Sequence, residues 1–205
     1  HHMIIHIFTR ETVYSYRYIN FIDKYFNIDK HLFVFRSKKT FKKFQYVKKI
    51  SNRILFVNSK FLFLKKLLPF LNNSEKILIH NLSQGPSLFF WFIYRKLLKK
   101  TIWIQWGNDL YFYQKKKSIE ELIYETLRKT IIKNIVAIGS VVEEEYILTR
   151  EVYSTKAIFY LVFYPNPVNF NTLTYTYKNI LPTTKINILV GNSCDTTNNH
   201  LEIFD

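Results

Sequence analysis

The stretch Thr101–Tyr113, TIWIQWGNDLYFY, runs an apolar strand into a glycine and then presents an amide and a carboxylate before turning aromatic again. Five of its first six residues are β-branched, aromatic or otherwise suited to a strand. A strand without a polar face belongs in a parallel sheet covered on both sides. Working outward, the same rhythm of short apolar strand, turn and amphipathic helix repeats. Upstream, KILIH (76–80) reads as a strand, and Pro86 sits where the helix SLFFWFIYRKLL begins. Downstream, Ser118 and Glu121 form a capping box for a helix whose expected buried stripe is Ile119, Leu122, Ile123 and Leu127. Glu120 and Glu121 fall in its first turn and Arg128 and Lys129 in its last, as the helix dipole prefers. NIVAI (134–138) and KAIFYLVF (156–163) are further strands, with VVEEEYIL between them a short helix whose glutamates form a solvated face.

Towards the amino end, MIIHIF, HLFVF (31–35) and RILFV (53–57) are strands. A helix between the first two places Tyr18, Phe21, Ile22, Tyr25 and Phe26 on one face. SKFLFLKKLLPFL (59–71) reads as a helix stopped near Pro69. Strands alternating with helices in this way predict a doubly wound, mainly parallel α/β sheet of Rossmann-like type.

Of 205 residues, 48% are hydrophobic and 18% aromatic, ample for a core. The longest apolar run, SLFFWFIY, is far short of the ~18 residues a membrane span needs. His1 and His2 ahead of Met3 read as a tag remnant, and MIIHIF lacks a secretory cleavage site. The lone cysteine, Cys194, excludes an internal disulfide and suits a reducing cytoplasm. A net charge of +15 points to an acidic partner: nucleic acid, a nucleotide or an anionic membrane face. RSKKTFKKFQYVKK (36–49) holds seven basic residues and no acid, interleaved with aromatics, which suits a membrane surface or single-stranded nucleic acid. A biased genome would also produce such a composition.

The four glycines, Gly85, Gly107, Gly139 and Gly191, each follow closely on the carboxyl end of a predicted strand. In open α/β sheets ligands bind at that edge, where strand order reverses. Glycine there permits positive φ and close approach to a ligand, so Gly107 is expected to turn the chain and present Asn108 and Asp109. A plain turn with Asp109 as a cap is the alternative. GxGxxG and the phosphate-loop pattern are absent, against a dinucleotide oxidoreductase and a P-loop NTPase. D-x-D, zinc spacing and the nucleophile elbow are absent too, so no metal ligands and no cofactor are predicted.

After residue 164 the composition becomes rich in Asn, Thr and Pro, and INILV (186–190) then starts a new strand. The expected organisation is an amino-terminal domain over 3–176, a linker over 177–185 and the first strand of a second domain over 186–205, cut short at Asp205. The fragment alone is expected to be inactive.

WIQWGNDLY (103–111) and ILVGNSCDTTNNH (188–200) resemble the W-G-x-D-L-Y and I-L-V-G-N-S-x-D-x-(S/T)-N-x-H blocks of the bacterial 4-acetamido-4,6-dideoxygalactose (N-acetylfucosamine) transferases, glycosyltransferase family 56. Cys194 stands where that family has glycine, and Asn199 replaces its residue before the histidine. The resemblance implies the first half of a two-domain GT-B glycosyltransferase that needs no bound metal. A dTDP-linked aminodeoxysugar would be the donor and an undecaprenyl-diphosphate-linked (polyprenyl-diphosphate-linked) saccharide the acceptor. The enzyme would be cytoplasmic, peripheral on the inner face of the cytoplasmic membrane, without nucleic acid as a partner. Asp109 is the candidate catalytic carboxylate, with His80 and His6 as alternatives on neighbouring strand ends. Gly107, Asn108 and Trp106 would line the acceptor side. Gly191, Asn192 and Ser193 would bind the donor diphosphate through backbone N–H groups, with Asn198 and His200 at the same mouth. A non-catalytic basic nucleic-acid-binding module and a catalytically dead remnant remain the alternatives.

Overall fold

The computed structural model describes residues 3–9, 11–35, 52–57, 62–82, 85–114 and 117–165. The basic run 36–49, the 177–185 linker and the 186–205 block lie outside the described residues. Seven strands form one sheet: β1 (Ile4–Phe8), β2 (His31–Phe35), β3 (Ile54–Phe56), β4 (Lys76–His80), β5 (Thr101–Ile104), β6 (Ala137–Ser140) and β7 (Ile158–Leu161). Every pairing is parallel and the order is β3-β2-β1-β4-β5-β6-β7. The order reverses between β1 and β4, so connections leave these two neighbours in opposite directions and open a crevice at their carboxyl ends. The predicted doubly wound α/β class is therefore the observed one.

Six helices accompany the sheet: α1 (Val13–Tyr25), α2 (Leu62–Asn73), α3 (Ser87–Ile93), α4 (Gly107–Leu110), α5 (Ile119–Asn134) and α6 (Glu143–Tyr153). α1 covers one face, where Tyr16, Ile19 and Ile22 pack on Phe8, Phe33, Phe35 and Ile54. On the other face Leu67 and Leu71 of α2, Leu88 of α3, Ile131 and Ile132 of α5 and Tyr153 of α6 pack on Ile5, Ile7, Ile77, Ile79 and Ile138. Each such side chain removed from water contributes about 1.5–3 kcal/mol.

Local chemistry fixes the helix starts. Thr12 Oγ1 accepts from the Ser15 N–H and Ser15 Oγ from the Thr12 N–H, capping α1 reciprocally. The predicted box at Ser118 and Glu121 is present in the same form on α5. Several details depart from the sequence reading. Pro69 sits inside α2 rather than ending it, because Leu67 and Leu71 on either side are both buried and hold the helix on the sheet. On α5 the expected stripe is largely outside: Ile119 is 82% exposed, and Leu122 and Ile123 are exposed as well. Only the second half of α5, with Leu127, Arg128, Ile131 and Ile132, lies in the core. On α1 the buried face is turned towards Ser15, Tyr16, Ile19 and Ile22, leaving Tyr25 and Phe26 exposed. β6 starts three residues later than NIVAI, since α5 continues through Asn134. Among the described residues no helix is long and apolar enough to cross a membrane.

Candidate active site

Beside the crevice at the strand-order reversal, the turns after β4 and β5 carry the candidate site residues. The β4–α3 turn takes two left-handed steps, at Asn81 (φ 75°) and Gly85 (φ 121°). Gly85 thus uses the freedom that a side chain would deny it. Gly107 does not: it opens the helical turn α4, after an extended Trp106, and its φ is not positive. The expectation of a positive-φ turn at Gly107 is corrected by this geometry. Gly139 lies within β6 rather than after it, and its role is steric. A Cβ there would stand 2.8 Å from both Ile104 Cδ1 and Val162 Cγ1. Glycine lets the segment after β7 pass closely over the sheet, so that Phe163 meets Phe21 of α1 and Tyr164 reaches the crevice.

Asp109 is carried by α4 but points inward and is only 3% exposed. Its Oδ2 accepts from the Leu82 N–H and the Trp103 indole N–H, both at 2.7 Å, and its Oδ1 from the Trp106 N–H at 2.8 Å. Burial pushes its carboxyl up to about 6, against the Trp103 donor, the Arg128 guanidinium and the two backbone donors. Arg128 is fully buried and donates to the carbonyls of Leu82 and Asp109, each at 2.7 Å. Glu125 stands 3.4 Å from its Nε, and the rings of Trp103 and Tyr153 lie beside the guanidinium. Arg128 is therefore a core residue, not the exposed dipole partner its place on the helix suggested. Together Asp109 and Arg128 clamp the turns after β4 and β5 at a fixed spacing. Asp109 holds the Trp106 backbone, with no carboxylate oxygen left free of a donor.

On the opposite face three histidines run obliquely across three strands. His31 is the first residue of β2, His6 the third of β1 and His80 the fifth of β4. The register pairs Ile4 with His31 and Phe8 with His80, so each step moves one strand over and two residues on, along one face. Ring side chains span such diagonals. His6 Nε2 lies 2.9 Å from His31 Nδ1, and His6 Nδ1 lies 3.2 Å from His80 Nε2. His80 Nδ1 meets the Tyr164 hydroxyl in a short contact, and the Trp106 indole N–H donates to that hydroxyl at 3.1 Å. Tyr18 of α1 packs edge-on against His6 and His80.

His6 and His80 are 1% and 2% exposed. Burial, with the neighbouring histidines, holds His6 well below its ordinary value. Burial alone takes His80 down to about 3 and lowers His31. All three are neutral at neutral pH. Burial also drives the Tyr164 phenol far up, so it stays protonated. The rings meet in a line instead of converging, and among the described residues no group of His, Cys, Asp and Glu could hold a metal ion.

The structure brings His6, His80 and Trp106 into one connected set, with Asp109 behind it as a support for Trp106. Asn108 and Gly107 lie on α4 at the same edge. Gly191, Asn192, Ser193, Asn198 and His200 fall outside the described residues. Sequence reasoning missed His31, Tyr164 and the burial of Arg128. It also took Glu145 as solvated, whereas its carboxylate accepts from Ser140 Oγ at 2.7 Å. A signal for His31 existed: three apolar strands each carry one histidine, at the first, third and fifth position. No local signal marks Tyr164.

Polar side chains gathered beside the strand-order reversal stand where open α/β sheets bind their ligands. The family model described as 4-alpha-L-fucosyltransferase, glycosyl transferase group 56, matches residues 18–205, and the chain belongs to that family of glycosyltransferases. No curated protein matches it. Among solved structures it is similar to an alpha-glucosyltransferase in complex with UDP and a 13-mer DNA containing an HMU base, with 16% identity and a TM-score of 0.42. That match covers 78% of this chain and 42% of the other.

Proposed function

We propose that the whole protein transfers a 4-acetamido-4,6-dideoxygalactose-type sugar from a dTDP-linked donor to a polyprenyl-diphosphate-linked saccharide. This chain would supply the acceptor-side half of a GT-B enzyme and the start of its donor site. Family membership over residues 18–205, a span that includes both the W-G-x-D-L-Y and the G-N-S blocks, is the observation that carries it. Trp106 and Tyr14, in edge contact at 5.9 Å beside Tyr164, offer aromatic faces suited to the C–H groups of a deoxysugar. Asp109 acts as a positioning residue that fixes the Trp106 backbone. The donor diphosphate would bind the backbone N–H groups of Gly191, Asn192 and Ser193, with Asn198 and His200 beside it.

Attachment to the inner face of the cytoplasmic membrane fits the charge of +15 and the apolar side chains exposed on α3 and α5. Ile93, Ile119, Leu122 and Ile123 are all exposed, and Phe89 of α3 touches Tyr124 of α5. Each lysine or arginine near an anionic surface adds ~1 kcal/mol. The test is the full-length enzyme with the dTDP-sugar, a polyprenyl-diphosphate disaccharide and anionic vesicles, read by mass spectrometry. Gain of one sugar mass on the lipid, with salt-sensitive vesicle binding, is the expected result. Donor left intact, together with tight binding of single-stranded DNA, would overturn it in favour of a nucleic-acid module.

A further inference from the structure

We propose that Tyr164, His80, His6 and His31 form a proton wire that takes the proton from the acceptor hydroxyl at the sheet edge and carries it across three strands. The inference rests on the glycosyl-transfer reading above, but the wire itself rests on geometry. An indole N–H only donates, so one lone pair of the Tyr164 oxygen is taken by Trp106. The phenol oxygen also contacts His80 Nδ1, and in the wire the O–H points to that nitrogen. One lone pair remains on that oxygen, and what it takes is a hydrogen bond from a hydroxyl. Tyr164 is half-buried at the crevice, whereas both histidines behind it are sealed.

The neutral charge state fixes the rest. Each neutral imidazole has one N–H and one bare nitrogen. With both nitrogens of His6 and of His80 engaged, a proton on Tyr164 pointing to His80 requires N–H at Nε2 of His80, then at Nε2 of His6. His31 Nδ1 accepts from His6, so its proton also sits on Nε2, and among the described residues no partner bonds that atom. The three tautomers are thus a single collective choice.

The transfer balances as follows. As the acceptor oxygen forms its bond to the sugar anomeric carbon, the bond from that carbon to the nucleoside diphosphate breaks and the leaving group departs with the electron pair. The acceptor proton moves to the Tyr164 oxygen while the phenol proton moves to His80 Nδ1. The His80 Nε2 proton passes to His6 Nδ1, and the His6 Nε2 proton passes to His31 Nδ1. His31 is then an imidazolium and releases its Nε2 proton. The wire resets when the empty site admits water: His31 Nε2 takes up a proton from solvent, the shifts run backwards, and the Tyr164 oxygen passes one proton to that water. The ionisable groups facing it are Tyr18 from α1 and, through space, Asp109 behind Tyr164.

The experiment uses the full-length enzyme with histidine labelled at both ring nitrogens. Long-range proton–nitrogen spectra at neutral pH should show His6, His31 and His80 neutral, in one shared tautomer. His31→Phe, remote from the substrate, should lower kcat at least tenfold with KM unchanged and reduce the solvent deuterium effect; positioned proton transfer contributes ~10²–10⁴. His31→Asn, which keeps an acceptor and a donor, should recover part of the rate and serves if the phenylalanine variant misfolds. Mixed tautomers, or a His31→Phe enzyme with unchanged kcat, pH profile and isotope effect, would overturn the wire while leaving the transferase standing. An enzyme inert towards both substrates would remove the functional reading and with it the catalytic role, and the spectra would still decide whether the tautomers are coupled.

Discussion

Two buried polar clusters lie on opposite faces of the sheet and meet at β4, and they are built on opposite principles. Behind β4 and β5, Asp109 and Arg128 bury charge, and both oxygens of the carboxylate are engaged by N–H donors. Across β2, β1 and β4, the histidines bury rings that stay uncharged and leave their chain open at Tyr164. A carboxylate with both oxygens engaged by donors holds a shape. A neutral chain open at Tyr164 and, among the described residues, at His31 Nε2 can exchange a proton without the cost of a buried ion.

That contrast breaks most visibly at the clamp. Asp109→Asn turns an amide N–H₂ towards a cavity lined by N–H donors and removes a buried negative charge that faces Arg128 through space. A loss of about 3–5 kcal/mol in urea unfolding is expected. A catalytic carboxylate would instead show an unchanged urea midpoint and a collapsed rate.

Acid sharpens the histidine side. The folded values of His6, His31 and His80 lie below the ordinary 6.5, so the unfolded chain binds protons that the folded one refuses. Stability is therefore full above pH 6.5 and falls as pH drops through the window towards about 3, the folded value of His80. One unit below 6.5, each histidine that stays neutral removes about 1.4 kcal/mol, so the His6 and His80 pair removes ~3. Urea midpoints between pH 7 and 5 read this directly. A His6→Phe, His80→Phe double variant should show a much flatter dependence, and an equal slope in both proteins would disprove neutral burial.

A smaller effect tests how Tyr164 is delivered to the chain. Gly139→Ala forces a methyl against Val162 and Ile104, at about 1–3 kcal/mol. Adding Val162→Ala should recover part of the loss in the same unfolding assay. No recovery would show that the close approach over β6 is not what the glycine serves.

The strands were legible because they are short apolar runs with punctuated ends, and the topology follows from their alternation with helices. The α5 face was not legible: spacing gives the period of a helix but not how far it overhangs the sheet, and the overhang exposes Ile119. The direction of Asp109 was hidden for a similar reason. It depends on Leu82, 27 residues back, and on Arg128, 19 residues on, whose carbonyl contacts pull α4 inward. His80 could be read as a strand-end histidine, whereas His6, expected at a strand end, sits in the middle of β1, and the oblique offset that joins them to His31 exists only once the register is set.

The contact between Tyr164 and His80 joins residues 84 positions apart, and it is reached only after β7 has paired and its trailing segment has folded back over Gly139. During synthesis, a nascent chain that has emerged only as far as β6 could already assemble most of the sheet while its reactive edge was still unfinished. The edge of this sheet would then be completed last, by the arrival of one phenol late in its synthesis.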